Sequence, residues 1–164
     1  MENNDNIFLC DCCGKEFENL PRYIMHQNPN TANGERVKLF EDYKTLVRSD
    51  SKYYVSCEIE FPFKDNAFPP LGLIIWVEIS KKLYYDLLNL WKNNDDTSYF
   101  NDLASGTIAN YIKLADGSFG LPVKFKVLIN DPTPYIKWIS EGSKLDSLIK
   151  NGVDTAFWHN FAGA

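Results

Sequence analysis

An α+β architecture, with a mixed, mainly antiparallel sheet and two or three packed helices, is predicted from three patterns in the sequence. Residues 53–63 alternate apolar and polar side chains, which is the period of a strand with one face on the core. Residues 71–79 form a nearly continuous apolar run, typical of a strand covered on both faces. Residues 35–48 and 80–93 repeat apolar side chains at helical spacing. We therefore expect helices packed on one sheet, preceded by an N-terminal turn that contains cysteines.

The remaining elements are weaker in pattern. A short strand at 7–10 is expected to lead into the cysteine turn, and a polar loop at 28–34 separates that turn from the helix at 35–48. Ser80 is a suitable N-cap for the helix at 80–93. Further along, we expect a strand pair at 108–114 and 123–129 joined around Gly117, a short apolar segment at 135–139, and a helix at 143–150.

A single domain spanning residues 1–164 is expected, with 1–6 and 155–164 as flexible or docked tails. Hydrophobic residues make up 45% of the chain and aromatic residues 15%, which is enough for a core at this length. Three large aromatic side chains in the C-terminal tail favour docking, because in water they would form an adhesive patch. The predicted core contains Val55, Ile59, Phe61, Trp76, Leu87 and Trp91.

The charge of the chain excludes two classes of partner. Seventeen Lys and Arg residues against 22 Asp and Glu residues give a formal net charge of −5, and the basic residues are scattered. Nucleic acids and anionic membranes both require a basic footprint, so neither is expected as a partner. The polar, acidic N-terminus does not resemble an export signal. We therefore expect a cytoplasmic protein whose four cysteines are reduced thiols or metal ligands.

One motif has the chemical character of a metal site. Cys10 and Cys13 are separated by two residues and followed by Gly14, which is how a zinc knuckle begins. A closed site needs two more ligands, and the candidates are Cys12, Cys57, His26 and His159, with Cys57 or His26 as the expected completion. The alternatives are a tight turn with buried thiols, or a redox-sensitive Cys12-Cys13 pair.

No catalytic residue is predicted. Cys57 falls on the core side of its strand, where a cysteine behaves as a packed thiol. Glu58 and Glu60 share the opposite face, where paired carboxylates can serve as acid and base but more often form a solvated surface. The sequence also lacks a nucleophile elbow, a phosphate-binding loop and a dinucleotide-binding fingerprint.

Several short motifs carry a resemblance to a known family. They are Phe8-x-Cys10-x2-Cys13-Gly14, Leu20-Pro21, the Cys57-Glu58-Ile59-Glu60-Phe61-Pro62 strand, the run from Gly72 to Ser80, and Tyr99-Phe100. Over about residues 7–150 the chain resembles the bacterial domain of unknown function 2199 family. That resemblance implies a bacterial origin and a shared domain but no activity. The family pattern continues as Cys-Gly-x2-His, whereas this chain has Phe17 in place of the histidine.

Two functions from different classes remain, beside a purely structural subunit of a larger assembly, which differs from the first function mainly in permanence. The first is a non-enzymatic protein-binding module, for example an immunity protein that neutralises a basic toxin, because acidic charge speeds capture of such a partner and aromatic side chains supply affinity. The second is a metal- or thiol-dependent enzyme that uses Cys10, Cys13 and an acid such as Glu58. The predicted partner-binding residues are Tyr54, Glu58, Glu60, Tyr99 and Phe100.

Overall fold

The computed structural model describes residues 8–10, 13–17, 23–31, 33–94 and 102–162, without the side chains of Phe8 and Phe17. Three helices lie in these ranges, at Lys81–Lys92 (α1), Lys144–Asn151 (α2) and Thr155–Ala162 (α3). The strands are Phe8–Leu9 (β1), Glu16–Phe17 (β2), Tyr23–Met25 (β3), Phe40–Tyr43 (β4), Leu46–Arg48 (β5), Tyr53–Phe61 (β6), Leu71–Ile79 (β7), Ala104–Ile108 (β8), Pro122–Lys126 (β9) and Tyr135–Ile139 (β10). The predicted α+β class with a mixed, mainly antiparallel sheet is confirmed.

The sheet is built on one long antiparallel pair. β6 and β7 pair along their whole length, from Tyr53 opposite Ile79 to Phe61 opposite Leu71. The outer edge of β7 is shared by β3, which is parallel to it, and β8, while the outer edge of β6 is shared by β5 and the parallel strand β10. β8, β9 and β10 continue round from β7 to β6, so that five strands close into a small barrel. β4 extends the sheet beyond β5, and β1 and β2 form a separate hairpin.

The main core joins the barrel strands to the helices. Its largest fully buried side chains include Trp158 from α3, Tyr84 from α1, Phe61 from β6 and Phe125 from β9. All six predicted core residues are buried, which confirms the register inferred for β6. A second, smaller cluster lies apart from this core and contains Val47, Tyr54, Trp76 and Ala109, with Leu39 packed against it. β6 and β7 are therefore covered on both faces.

The helices predicted at 80–93 and 143–150 are confirmed as α1 and α2. Ser80 caps α1, because its hydroxyl accepts a hydrogen bond from the backbone N–H of Leu83 at 3.1 Å. Ser143 caps α2 in the same way through the N–H of Asp146 at 3.0 Å. The aromatic tail is docked as α3, in which Trp158 is fully buried. The serine caps fix where α1 and α2 begin, and burial of Trp158 holds α3 against the core.

The predicted helix at 35–48 is wrong, because this segment contains the hairpin formed by β4 and β5. Leu46 belongs to the main core, whereas its neighbour Val47 belongs to the second cluster. Consecutive residues can face opposite sides of a layer only in a strand, since successive residues of a helix differ by about 100° in direction. Pairing of β5 with the edge of β6 therefore overrides the helical spacing of the apolar residues.

The predicted strand pair around Gly117 exists but begins earlier in the chain. β8 ends at Ile108, and residues 109–121 form a long connection to β9 rather than a tight turn. Asn110 explains this departure, because its fully buried side chain bonds three groups outside the pair. Its Oδ1 accepts from the N–H of Trp76 at 2.7 Å, and its Nδ2 donates to the carbonyl of Asn28 at 3.0 Å and to Oδ1 of Asn30 at 3.1 Å.

Candidate metal centre

The turn between β1 and β2 has the backbone arrangement of a cysteine knuckle. The N–H of Gly14 donates to the carbonyl of Cys10 at 2.8 Å, and the N–H of Cys10 donates to the carbonyl of Lys15 at 2.9 Å. Gly14 has a φ of +68°, a left-handed conformation that glycine adopts without a steric penalty. These bonds fold the turn tightly, and the cysteines at its two ends approach the same point in space.

His159 on α3 completes a cluster of three ligand atoms. Its Nδ1 lies 3.5 Å from the Sγ of Cys10 and 3.9 Å from the Sγ of Cys13, and all three ligand atoms lie within 4.8 Å of one another. Around a tetrahedral zinc ion, sulfur and nitrogen ligands are about 3.6 Å apart and two sulfurs about 3.8 Å apart, given the usual bond lengths. The cluster therefore already has nearly the spacing that one tetrahedral ion requires.

The orientation of His159 is set by the packing of α3. Trp158, the preceding residue, stacks edge-to-face on Phe63 and Phe68, with ring centroids 5.4 and 5.6 Å away. At the start of the helix, the Oδ1 of Asp154 accepts a hydrogen bond from the N–H of Phe157 at 2.8 Å. Because the helix is fixed by its apolar face and its cap, His159 is held toward the cysteine turn.

The predicted ligands meet this geometry in part. Cys10 and Cys13 do lie together, but the expected completion by His26 or Cys57 is wrong for the described residues. The Nδ1 of His26 lies 3.2 Å from the carbonyl oxygen of Ile74, and Cys57 is fully buried in β6, where burial raises the pKa of its thiol well above the usual value. Cys12 lies outside the described residues.

No spacing in the sequence links His159 to the cysteines, because 146 residues separate it from Cys13. The one available signal in the sequence is the absence of a histidine from the knuckle itself. Phe17 stands where the similar family has a histidine, so an imidazole ligand has to come from elsewhere in the chain. Of the two histidines present, His159 lies in the aromatic tail that was expected to dock.

The expected solvent-facing position of the partner-binding residues on β6 is wrong for two of the three. Tyr54 is 4% exposed and Glu58 is 7% exposed, because the second apolar cluster and the surrounding segments cover this face of the sheet. Glu60 is exposed, and Tyr99 and Phe100 lie outside the described residues. Burial raises the pKa of Glu58, and the nearby charges of Glu60 and Asp131 raise it further, against a hydrogen bond from Tyr135 that lowers it.

Glu60 nevertheless belongs to a surface that combines acids and exposed apolar groups. It pairs with Gly72 on β7, which in turn pairs with Tyr23 on β3. A Cβ at Gly72 would lie 2.3 Å from the ring of Tyr23, so only glycine lets this ring lie across the sheet. Tyr23 is 64% exposed and Met25, on the same strand, is 68% exposed. We call Tyr23, Met25 and Glu60 the β3–β6 surface.

The cysteine–histidine cluster lies apart from three clefts that are lined by described residues. Three clefts have volumes of about 290, 520 and 580 Å³, and none of them is lined by Cys10, Cys13 or His159. Within the cluster, Cys10 is buried, Cys13 is exposed and His159 is half-buried. The arrangement can hold a metal ion near the surface, outside any of these clefts.

A family model described as an uncharacterised protein conserved in bacteria, domain of unknown function 2199, matches residues 9–153. The matched region contains Cys10 and Cys13 but stops short of His159. No curated protein and no solved structure matches the chain significantly. Among the described residues, no helix combines the length and the apolar character needed to cross a bilayer.

Proposed function

The chain belongs to this bacterial family of uncharacterised proteins, and from its cysteine–histidine cluster we propose that it is a zinc-binding, non-enzymatic protein-binding module. In this proposal, Cys10, Cys13 and His159 hold one zinc ion that fastens the β1–β2 hairpin to α3. The observation that carries the proposal is the spacing of the three ligand atoms, all within 4.8 Å of one another.

The chemistry of the ligand set favours zinc. Thiolates and imidazole are its usual protein ligands, and structural zinc sites combine them in tetrahedral sets that begin with a Cys-x2-Cys turn. Thiolate ligands also require a reducing compartment, so we place the protein in the cytoplasm. Cys12 is the nearest candidate in sequence for the fourth position, with a water molecule as the alternative.

A structural role for the ion agrees with its position. Catalytic zinc needs an open coordination position that a substrate can reach, and substrates usually bind in concave sites. Here Cys10 is buried, and the three measured clefts lie elsewhere on the described surface. An ion at this point joins segments that are 149 residues apart in sequence.

Metal analysis tests this role directly. Protein purified without added metal should contain about one zinc per chain, since the described residues hold a single cluster of ligand atoms. Cys13→Ser and His159→Asn should each lower the zinc content severalfold, and Cys12→Ser should do so only if that thiol is the fourth ligand. His26→Asn and Cys57→Ser are matched controls that should retain the metal. Wild-type protein without zinc would overturn the proposal.

The β3–β6 surface supports the binding function. It places an exposed tyrosine and methionine beside Glu60, close to Glu58, whose pKa is raised by burial and then by the charges of Glu60 and Asp131. Aromatic side chains supply affinity in protein interfaces, and carboxylates steer a basic partner. We propose a basic protein as the partner, and a toxin neutralised by this chain is the concrete case.

The product of a neighbouring gene is the first partner to test. Glu60→Lys should lower its association rate severalfold and weaken the dependence of that rate on salt, because steering is electrostatic. Tyr23→Ala should instead raise the dissociation rate. Asp116→Lys, which makes the same charge change at an exposed loop residue, is the control. If Glu60→Lys and Asp116→Lys have equal effects, the β3–β6 surface is not the interface.

The exposure of Cys13 favours one alternative, a metal-dependent enzyme in which water occupies the fourth position of the ion. A hydrolase screen with activated ester and phosphoester substrates separates the two functions. Two results together would favour the enzyme. Wild-type turnover would be lost when zinc is removed and restored when zinc is added, and His159→Asn would show no turnover. The binding proposal expects no zinc-dependent turnover.

A further inference from the structure

We infer that the Cys10–Cys13 pair is an oxidation site, at which a hydroperoxide converts the two zinc-bound thiolates into a disulfide and expels the ion. This inference rests on the proposed zinc centre and adds a chemical control to it. The released element is the β1–β2 hairpin, which the ion otherwise fastens to α3.

The geometry of the turn brings the two sulfur atoms within reach of each other. Both sulfur atoms lie within the 4.8 Å cluster, at the two ends of a turn with only two intervening residues. Cys-x2-Cys turns of this length close into disulfides in thiol oxidoreductases. Rotation of the two side chains toward each other replaces the metal-bridged contact by a bond of about 2.05 Å.

The different exposure of the two thiols assigns their roles. Cys13 is exposed, so a peroxide in solution can reach its sulfur, whereas Cys10 is 1% exposed and is protected from direct attack. The Cys13 thiolate attacks the peroxide O–O bond, and with one proton this gives a sulfenic acid and an alcohol, or water from hydrogen peroxide. The Cys10 thiolate then attacks the sulfenic sulfur, and with a second proton water leaves. In sum, two thiolates, one hydroperoxide and two protons give one disulfide, one alcohol and one water.

Loss of both thiolates removes the zinc. A disulfide sulfur carries no charge and is a poor ligand, so His159 and the fourth ligand are all that remain of the tetrahedral set, and the ion leaves as the hydrated cation. The sulfur atoms lose two electrons in total, which the peroxide oxygen atoms accept. Zinc itself does not change oxidation state, so the balance needs no other reactant.

The ties between the hairpin and the rest of the described chain explain which element responds. β1 and β2 pair only with each other in the part of the chain that the structure describes. The described contacts across to α3 include the buried side chain of Cys10, the metal ligands and the hydroxyl of Thr155, which lies 3.5 Å from the carbonyl of Leu9. α3, by contrast, keeps its aromatic contacts, including Phe157 and Phe161 against Phe61. Oxidation should therefore loosen the hairpin and leave α3 in place.

The experiment uses zinc-loaded wild-type protein and hydrogen peroxide as the probe. Zinc release is followed with a chromogenic chelator, disulfide formation by intact mass and peptide mapping, and local opening by hydrogen exchange. We expect release of one zinc for each Cys10–Cys13 disulfide, full reversal by dithiothreitol with added zinc, and faster exchange in the hairpin than in α3. Cys57→Ser is the control variant. It should react at the wild-type rate, because the Cys57 thiol of the wild type is fully buried and out of reach of the peroxide.

The results that would refute the oxidation site differ from those that would refute zinc binding. Zinc that is present at the start and stays bound while the thiols are oxidised elsewhere overturns the oxidation site alone. A mapped disulfide that joins Cys12 to either cysteine also contradicts it, as does oxidation that stops at sulfinic acid without zinc release. Protein that contains no zinc before peroxide is added overturns both proposals.

Discussion

Replacement of Asn110 by alanine should remove the polar link between the 26–31 segment and the sheet. The side chain is fully buried and makes three hydrogen bonds, to the N–H of Trp76, the carbonyl of Asn28 and the Oδ1 of Asn30. Its loss leaves the Trp76 N–H and the Asn28 carbonyl without these partners. Loss of a hydrogen bond costs about 1 kcal/mol where water can replace the partner, and about 1–3 kcal/mol where the remaining group stays buried. Asn28 and Asn30 are exposed, whereas the Trp76 N–H is buried, so two losses of the first kind and one of the second give a total of about 3–5 kcal/mol.

Urea unfolding followed by tryptophan fluorescence measures this change. The midpoint should fall without a change in slope, since the amount of surface exposed on unfolding stays the same. Asn89→Ala is the control, because Asn89 is exposed and its side chain accepts one bond from Asn93, also exposed. That variant should stay within about 0.5 kcal/mol of the wild type. A loss below about 1 kcal/mol for Asn110→Ala would show that a water replaces the side chain and that the reasoning is wrong.

Three other predictions follow from buried positions. Trp158→Ala should cost about 3–5 kcal/mol in urea unfolding, because the side chain is fully buried under α3; a smaller loss would mean that α3 is loosely packed. Gly106→Ala should also destabilise the protein, because a Cβ there would lie 2.6 Å from the backbone carbonyl oxygen of Glu78; an unchanged midpoint would contradict this contact. Glu58 has a raised pKa in the folded state, so folding favours its protonated form and stability falls as the pH rises above its ordinary pKa of 4.5. Glu58→Gln should therefore unfold at a higher urea concentration than the wild type at about pH 8 but not at about pH 4, and equal differences at both values would refute the linkage.

The central strands could be predicted because their patterns are local. The alternation along β6 and the apolar run of β7 are set by the faces that each residue covers, and Val55 and Ile59 are buried as expected. Ser80 likewise marks the start of α1, because a cap acts on the residues next to it in sequence.

One wrong assignment caused a second. The segment at 35–48 was expected to be a helix, so nothing was left to cover the polar side of β6. In the structure, Leu39 and Val47 from this segment pack with Tyr54 and Trp76 on that side. The β4–β5 hairpin is what turns a predicted solvent face into a second buried layer. Glu58 lies on that same side of β6 and is buried with it.

The third proposed metal ligand, His159, was one of four candidates in the sequence, but no local pattern set it apart from the other three. His159 reaches the cysteines only because α3 docks through Trp158 and its neighbours, and that docking depends on the completed sheet. Sequence spacing describes short-range geometry, such as the Cys10-x2-Cys13 turn, and carries no information about a contact across 149 residues.

The distance in sequence between Cys10 and His159 also determines when the metal centre can form in the cell. At about 5–20 residues per second, roughly 7–30 s pass between the synthesis of Cys10 and that of His159. In the proposed zinc centre, the Cys-x2-Cys turn leaves the ribosome first, and its thiols are exposed before their imidazole partner exists. A nascent chain would therefore carry an incomplete site that other metals or oxidants can reach, and α3 would close that site only afterwards.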